Sequence, residues 1–146
     1  MTKGVLRFFF EYGAGGCLWA GDDLAYDKLG VGPVDAEHHR PDGQIVSARL
    51  PLSVMTRKLR DQLDFMHSSY LNPLYPPDPS LWSQSLCGHF NARVEELLVL
   101  LRQETARNYD ILDQQERYVE DSQLDAYLLK NPTLAKLHEV KVPTVR

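Results

Sequence analysis

Val5-Leu6-Arg7-Phe8-Phe9-Phe10-Glu11-Tyr12, followed by Gly13-Ala14-Gly15-Gly16 and Cys17-Leu18-Trp19-Ala20, is the stretch whose reading decides the fold. In an extended chain Leu6, Phe8, Phe10 and Tyr12 fall on one side, and Val5, Arg7, Phe9 and Glu11 on the other. A period of two with aromatic enrichment marks a strand with one face against a core. The glycines that follow tolerate the positive φ of a tight reversal. The stretch predicts an N-terminal aromatic β-hairpin. A phosphate-cradling loop is the competing reading of the glycines. It lacks the lysine and hydroxyl of such loops, and no helix N-terminus follows to hold an anion.

Working outward, Asp22 or Asp23 caps a short helix to Leu29, with Gly30 placed to end it in the left-handed region. Residues 31 to 43, with Pro33 and Pro41-Asp42-Gly43, read as a connection, and Gln44 to Leu50 alternates as a third strand. Ser53 is an N-cap for a helix to about Tyr70, with Met55, Leu59, Leu63, Met66 and Tyr70 as its apolar stripe. The prolines between Leu74 and Leu81 require an extended loop. Ser80 or Ser83 opens the longest helix, to about Asn108, with Leu86, Phe90, Val94, Leu97, Leu98 and Leu101 buried. Tyr109 to Leu112 reads as a strand, Ser122 as the cap of a helix to Lys130, and Thr133 to His138 as a last short helix before a valine-rich tail. Strands and helices are segregated, which predicts an α+β fold: a small, mainly antiparallel sheet with two long helices on one face and a helical C-terminal extension. The domain expectation is 1–115 for the α+β part and 116–146 for the extension.

The chain of 146 residues is 43% hydrophobic and 25% charged, ordinary for one globular domain. Its longest uninterrupted apolar run, Leu97 to Leu101, is too short to span a bilayer. Arg7 and Glu11 interrupt any signal-like start. The expected location is therefore the cytoplasm, without membrane association. Cys17 and Cys87 form no C-x-x-C pair and read as reduced, buried thiols. The net charge of −4 argues against nucleic acid as a partner.

The distribution of charge says more. Between Glu95 and Asp125 nine carboxylates stand against three arginines. Asp110, Asp113, Glu116, Glu120 and Asp121 fall near the end of the predicted strand and beyond it, where a surface patch could steer a basic partner. The Tyr75-Pro-Pro-Asp-Pro-Ser-Leu-Trp82 loop offers aromatic side chains on a stiff backbone, a recognition element with little ordering cost. The plainer alternative is that Tyr75 and Trp82 pin the loop to the helices it joins. His38-His39 with Asp35 and Glu37 is the one metal-like cluster, but adjacent side chains of an extended chain point apart. No metal site and no cofactor are expected.

The segments Leu6 to Asp23, Leu50-Pro51-Leu52-Ser53, Tyr75-Pro-Pro-Asp-Pro79 and Trp82 to Asn91 resemble a group of small bacterial proteins of uncharacterised function. The resemblance covers residues 5 to 115. It implies architecture and a bacterial origin, and it brings no catalytic residues. Two function classes stand at this point. One is a non-enzymatic protein-binding module, an immunity- or antitoxin-type inhibitor that meets a basic toxin domain through Tyr75, Trp82 and the five carboxylates. The other is a small enzyme with a composite acid–base site from Asp22, Asp23, His67 and His89. A regulatory homo-oligomer is a third, weaker option.

Overall fold

The computed structural model describes residues 2–139. They form an α+β fold with strands β1 (Gly4–Phe8), β2 (Leu18–Ala20), β3 (His38–His39), β4 (Ile45–Val46) and β5 (Tyr109–Asp113). The helices are α1 (Asp23–Leu29), α2 (Val54–Ser68), α3 (Gln84–Thr105) and α4 (Leu124–Lys130). The chain divides into two compact units, the first Met1–Ser68 with Arg93–Glu116, the second Ser69–Ala92 with the chain from Arg117 onward.

In the first unit β1 is the middle strand of a sheet ordered β2-β1-β5. It pairs antiparallel with β2, Phe8 opposite Leu18, and parallel with β5, Leu6 opposite Ile111. The hairpin expected from the alternation is present. Leu6, Phe8 and Phe10 are buried as predicted, whereas Tyr12 has left the strand and is 40% exposed. The other face carries Arg7 over the Phe9 ring at 5.0 Å and Phe9 stacked on Trp19 at 5.0 Å. Asp22 accepts from the Ala25 N–H to cap α1, and Gly30 ends it at φ 77°.

The third strand does not join this sheet. Only Ile45–Val46 is strand, paired with His38–His39 in a separate two-stranded ribbon around Pro41-Asp42-Gly43. Val34 has taken the edge of β2 instead. Its N–H donates to the Leu18 carbonyl at 2.8 Å, and the Asp35 carboxylate accepts from the N–H groups of Cys17 and Leu18.

Ser53 caps α2 through its Oγ, which accepts from the Thr56 N–H, and Glu104 near the end of α3 accepts from the Ser53 N–H and Thr56 Oγ1. Farther along, Arg93 donates to Gln62 at 3.2 Å, so these stretches of α2 and α3 run antiparallel. The buried stripe of α2 is Thr56, Leu59, Arg60, Leu63 and His67, not the all-apolar row expected. Met55 of that row is 79% exposed. Val94, Leu97, Leu98 and Leu101 of α3 are buried as predicted.

In the second unit Tyr70, Trp82, Phe90 and Tyr118 make an aromatic cluster, with Trp82 and Phe90 centroids 5.1 Å apart. Asn91 acts as a backbone mimic, donating to the Tyr118 carbonyl at 2.8 Å and accepting from its N–H at 2.9 Å. Two sequence expectations change here. Asp121, not Ser122, prepares α4, because its carboxylate accepts from the Gln123 N–H and its carbonyl from Leu124. Thr133 to His138 is not a helix. After a turn at Pro132-Thr133, Leu137 pairs in parallel with Trp82, donating to the Leu81 carbonyl at 2.7 Å and accepting from Ser83 at 2.8 Å. The valine-rich tail lies outside the described residues.

Candidate protein-binding cleft

The site is built from the inward side of α2. Arg60, buried, donates to the Asp35 carbonyl at 2.6 Å and lies 3.3 Å from its carboxylate. It also reaches Asp61 Oδ1 at 2.9 and 3.0 Å. Burial opposes the arginine's charge, but Asp35 and Asp61 outweigh it and its pKa rises. Cys17 lies against the same carboxylate, Sγ 3.5 Å from Asp35 Oδ2. Burial first, and the Asp35 charge second, push its thiol well above the ordinary range. Cys17 is thus an inert buried thiol. The second cysteine, Cys87, is also free and buried.

Two turns on from Arg60, His67 is 4% exposed. Its ring stacks on Tyr12 with centroids 4.4 Å apart and lies 5.8 Å from the Phe10 ring. Burial lowers its pKa and Glu11 works the other way, so the imidazole is held neutral. The ring forms one wall of a cleft of about 380 Å³, shared with Tyr12, Gly13, Gly15, Asp61, Asp64, Phe65 and Ser68. Asp61, Asp64, Phe65 and Ser68 recur at spacings of three and four, which lays them along one face of α2. Gly13 and Gly15, at φ 77° and 76°, turn the backbone across the mouth.

The electrostatics of this cleft are acidic. Burial raises the Asp64 pKa and the Asp61 charge raises it further, while Arg60 works the other way without cancelling them. Burial, then Glu11 and Glu116, push the Tyr12 phenol up. Every one of these shifts is relieved by a cation in the cleft. Phe65, 79% exposed, and Tyr12 supply aromatic faces suited to the same charge. A guanidinium or ammonium group fits this chemistry. A larger groove of about 590 Å³ along α2 and α3 is mainly apolar, and its Arg93 is already paired with Glu96.

The residues singled out in the sequence belong to both units. Asp110, Asp113 and Glu116 lie in the first unit and are exposed, with Asp110 3.9 Å from Lys3. Of the three, Glu116 is the one that acts on the cleft, through Tyr12. Tyr75, Trp82, Glu120 and Asp121 belong to the second unit. Tyr75 is exposed on its loop, but Trp82 is 1% exposed, so its indole is core and presents no surface to a partner. Asn72 holds the turn of that loop by accepting from Leu74 and Tyr75 and donating to the Pro79 carbonyl. Glu120 exchanges hydrogen bonds with Gln84 and pairs with Lys136 at 3.1 Å. Asp121 is committed to the turn before α4. Glu120 is thus partly neutralised by Lys136, whereas Asp121 keeps its charge beside the turn.

Of the composite acid–base set, Asp22 caps α1 and His89 lies 3.2 Å from Glu139. His67 is the one member that lines the cleft. No group of three or more His, Cys, Asp or Glu could hold a metal ion among the described residues. No helix of the described residues is long and apolar enough to cross a membrane. Asp61, Asp64 and Phe65 escaped the sequence reading. The available signal was an aromatic off the assumed stripe with one carboxylate four residues before it and another beside it. No protein-family model matches the chain, and neither a curated protein nor a solved structure does.

Proposed function

We infer that the chain is a non-enzymatic protein-binding module that receives a basic partner, acting as an immunity- or antitoxin-type inhibitor of a bacterial toxin. The observation that carries this reading is the cleft of Tyr12, Asp61, Asp64 and Phe65, where carboxylates and exposed aromatics converge without a lysine or arginine among the lining residues. Aromatic anchors beside charge are the usual composition of binding hot spots. Acidic surroundings steer a basic partner and select its orientation. Glu11 and Glu116 extend the acidic field around Tyr12.

The test is the affinity for a basic toxin domain encoded beside the gene, measured by calorimetry at two salt concentrations. Binding is expected to weaken with salt and to be lost in Asp61→Lys/Asp64→Lys. A complex indifferent to both would refute the reading. One observation favours an enzyme as the second reading: Asp64 and His67 stand one turn apart in the cleft, the acid's pKa raised and the imidazole's lowered. Such environments make acid–base pairs. That reading requires Asp64→Asn to abolish turnover of a small substrate while leaving the fold stable.

A further inference from the structure

His67 and Tyr12 are joined by a ring stack rather than by charge. The imidazole is almost wholly covered, with the phenol ring on one side and Phe10 beyond it. Tyr12 itself is anchored at the end of the hairpin, where Gly13 and Gly15 take the left-handed region and a Cβ added to either would meet no atom within 4 Å. The turn thus has open space around it. The charged groups acting on this corner are mainly acidic, with Arg60 opposing them at Asp64. Glu11 adjoins Tyr12, Asp64 lies one turn before His67 on α2, and Asp61 lines the same cleft. Glu116, from the segment after β5, acts on Tyr12. The nearest arginine along α2, Arg60, is held by Asp35 and Asp61.

We propose that Tyr12 and His67 form an acid-released latch on the cleft: a proton on His67 breaks the stack, turns the imidazolium toward Asp64 and closes the site to other cations. An imidazolium is poorly housed where all but 4% of the residue is covered, because burial disfavours the charged form. Asp64, three residues before it on the same helix and lining the same cleft, is within reach as a partner. Once there, the imidazolium occupies the place that the partner's cation would take. Binding is switched off by internal competition, and the Gly13–Gly15 turn absorbs the displacement of Tyr12. The proton comes from solvent and no covalent bond changes.

The closing of the site to a partner rests on the cation-binding function proposed above, whereas the latch is readable in the free protein. Nuclear magnetic resonance of the full chain across pH 8 to 5 follows the His67 and Tyr12 ring signals and the amides of Gly13 and Gly15. The expected result is one shared midpoint, below the ordinary histidine value of about 6.5. In Tyr12→Ala the His67 midpoint moves up toward that value, and in His67→Phe, or His67→Gln if the phenylalanine variant does not fold, the transition at Tyr12 is lost. Tyr12 and glycine signals that ignore the His67 midpoint, or that titrate unchanged in both His67 variants, would overturn the latch. A tetra-arginine peptide then tests the competition. Its binding at neutral pH should fall in step with the His67 midpoint in the native protein and lack that step in the His67 variant. Failure of the peptide to bind at any pH removes the cation reading and leaves the latch to be decided by the ring signals.

Discussion

Arg60 and His67 sit two turns apart on the same buried side of α2, and they are accommodated in opposite ways. Arg60 keeps its charge because Asp35 and Asp61 surround the guanidinium, and Asp35 is in turn fixed by the Cys17 and Leu18 N–H groups. His67 is disfavoured from carrying charge because it is buried, against the opposing pull of Glu11. The first station ties α2 to the edge of β2, so it carries architecture. The second lines an open cleft, so its protonation state can matter to a partner. One helix face therefore holds a fixed polar contact and an adjustable one.

The largest effect is expected where the fixed contact is broken. Asp35→Ala leaves the Arg60 charge buried without its Asp35 carboxylate and frees the N–H groups of Cys17 and Leu18 at the start of β2. A loss of about 3–5 kcal/mol is expected in urea unfolding, the usual cost of removing one side of a buried ion pair. A loss below about 1 kcal/mol would show that Arg60 escapes to solvent and that the contrast between the stations is false. Core truncation on the opposite wall gives the scale: Phe8→Ala should cost a similar 3–5 kcal/mol in the same assay.

Changing the adjustable station should cost far less. His67→Phe keeps a ring of similar volume beside Tyr12 and Phe10, so stability at neutral pH should stay within about 1.5 kcal/mol. Its signature is pH dependence. Because the folded-state pKa of His67 is lowered, the unfolded chain binds more protons between the two values. The His67 contribution is complete above the unfolded value of about 6.5 and is lost as pH falls toward the folded one. Thermal unfolding of the native protein should weaken over that window, and His67→Phe should remove that part of the slope. The smallest effect is expected at Tyr75, whose exposed ring should be replaceable by alanine within about 0.5 kcal/mol.

The same two residues show how far the sequence could be read. The hairpin was legible because Leu6, Phe8 and Phe10 alternate over a short range, and the caps at Asp22, Ser53 and Ser83 follow from local hydrogen bonding. The inward face of α2 was misread because hydropathy assigns Arg60 and His67 to solvent, while tertiary partners far along the chain bury them. Met55 was placed inside for the converse reason. The parallel pairing of β1 with β5 joins residues about a hundred positions apart and leaves no local mark. The segment from Gln44 lost its place at the sheet because Val34 and the Asp35 side chain had already satisfied the edge of β2. Of the acidic segment, charge was legible but engagement was not. Gln84 and Lys136 bind Glu120, and nothing in the local sequence announces either contact. The cleft needed Tyr12 from the hairpin and Asp64 from α2 in one place, which only the tertiary fold supplies.

The most direct measurement of the central claim is a titration of the isotope-labelled chain with tetra-arginine and, as a matched control, tetra-glutamate, at neutral pH and low salt. The account predicts saturable shifts with tetra-arginine that centre on Tyr12, Gly13, Asp61, Asp64 and Phe65, disappear in Asp61→Lys/Asp64→Lys, and are absent with tetra-glutamate. Shifts that spread over the acidic surface without centring on these residues, or that survive the double reversal, would contradict it.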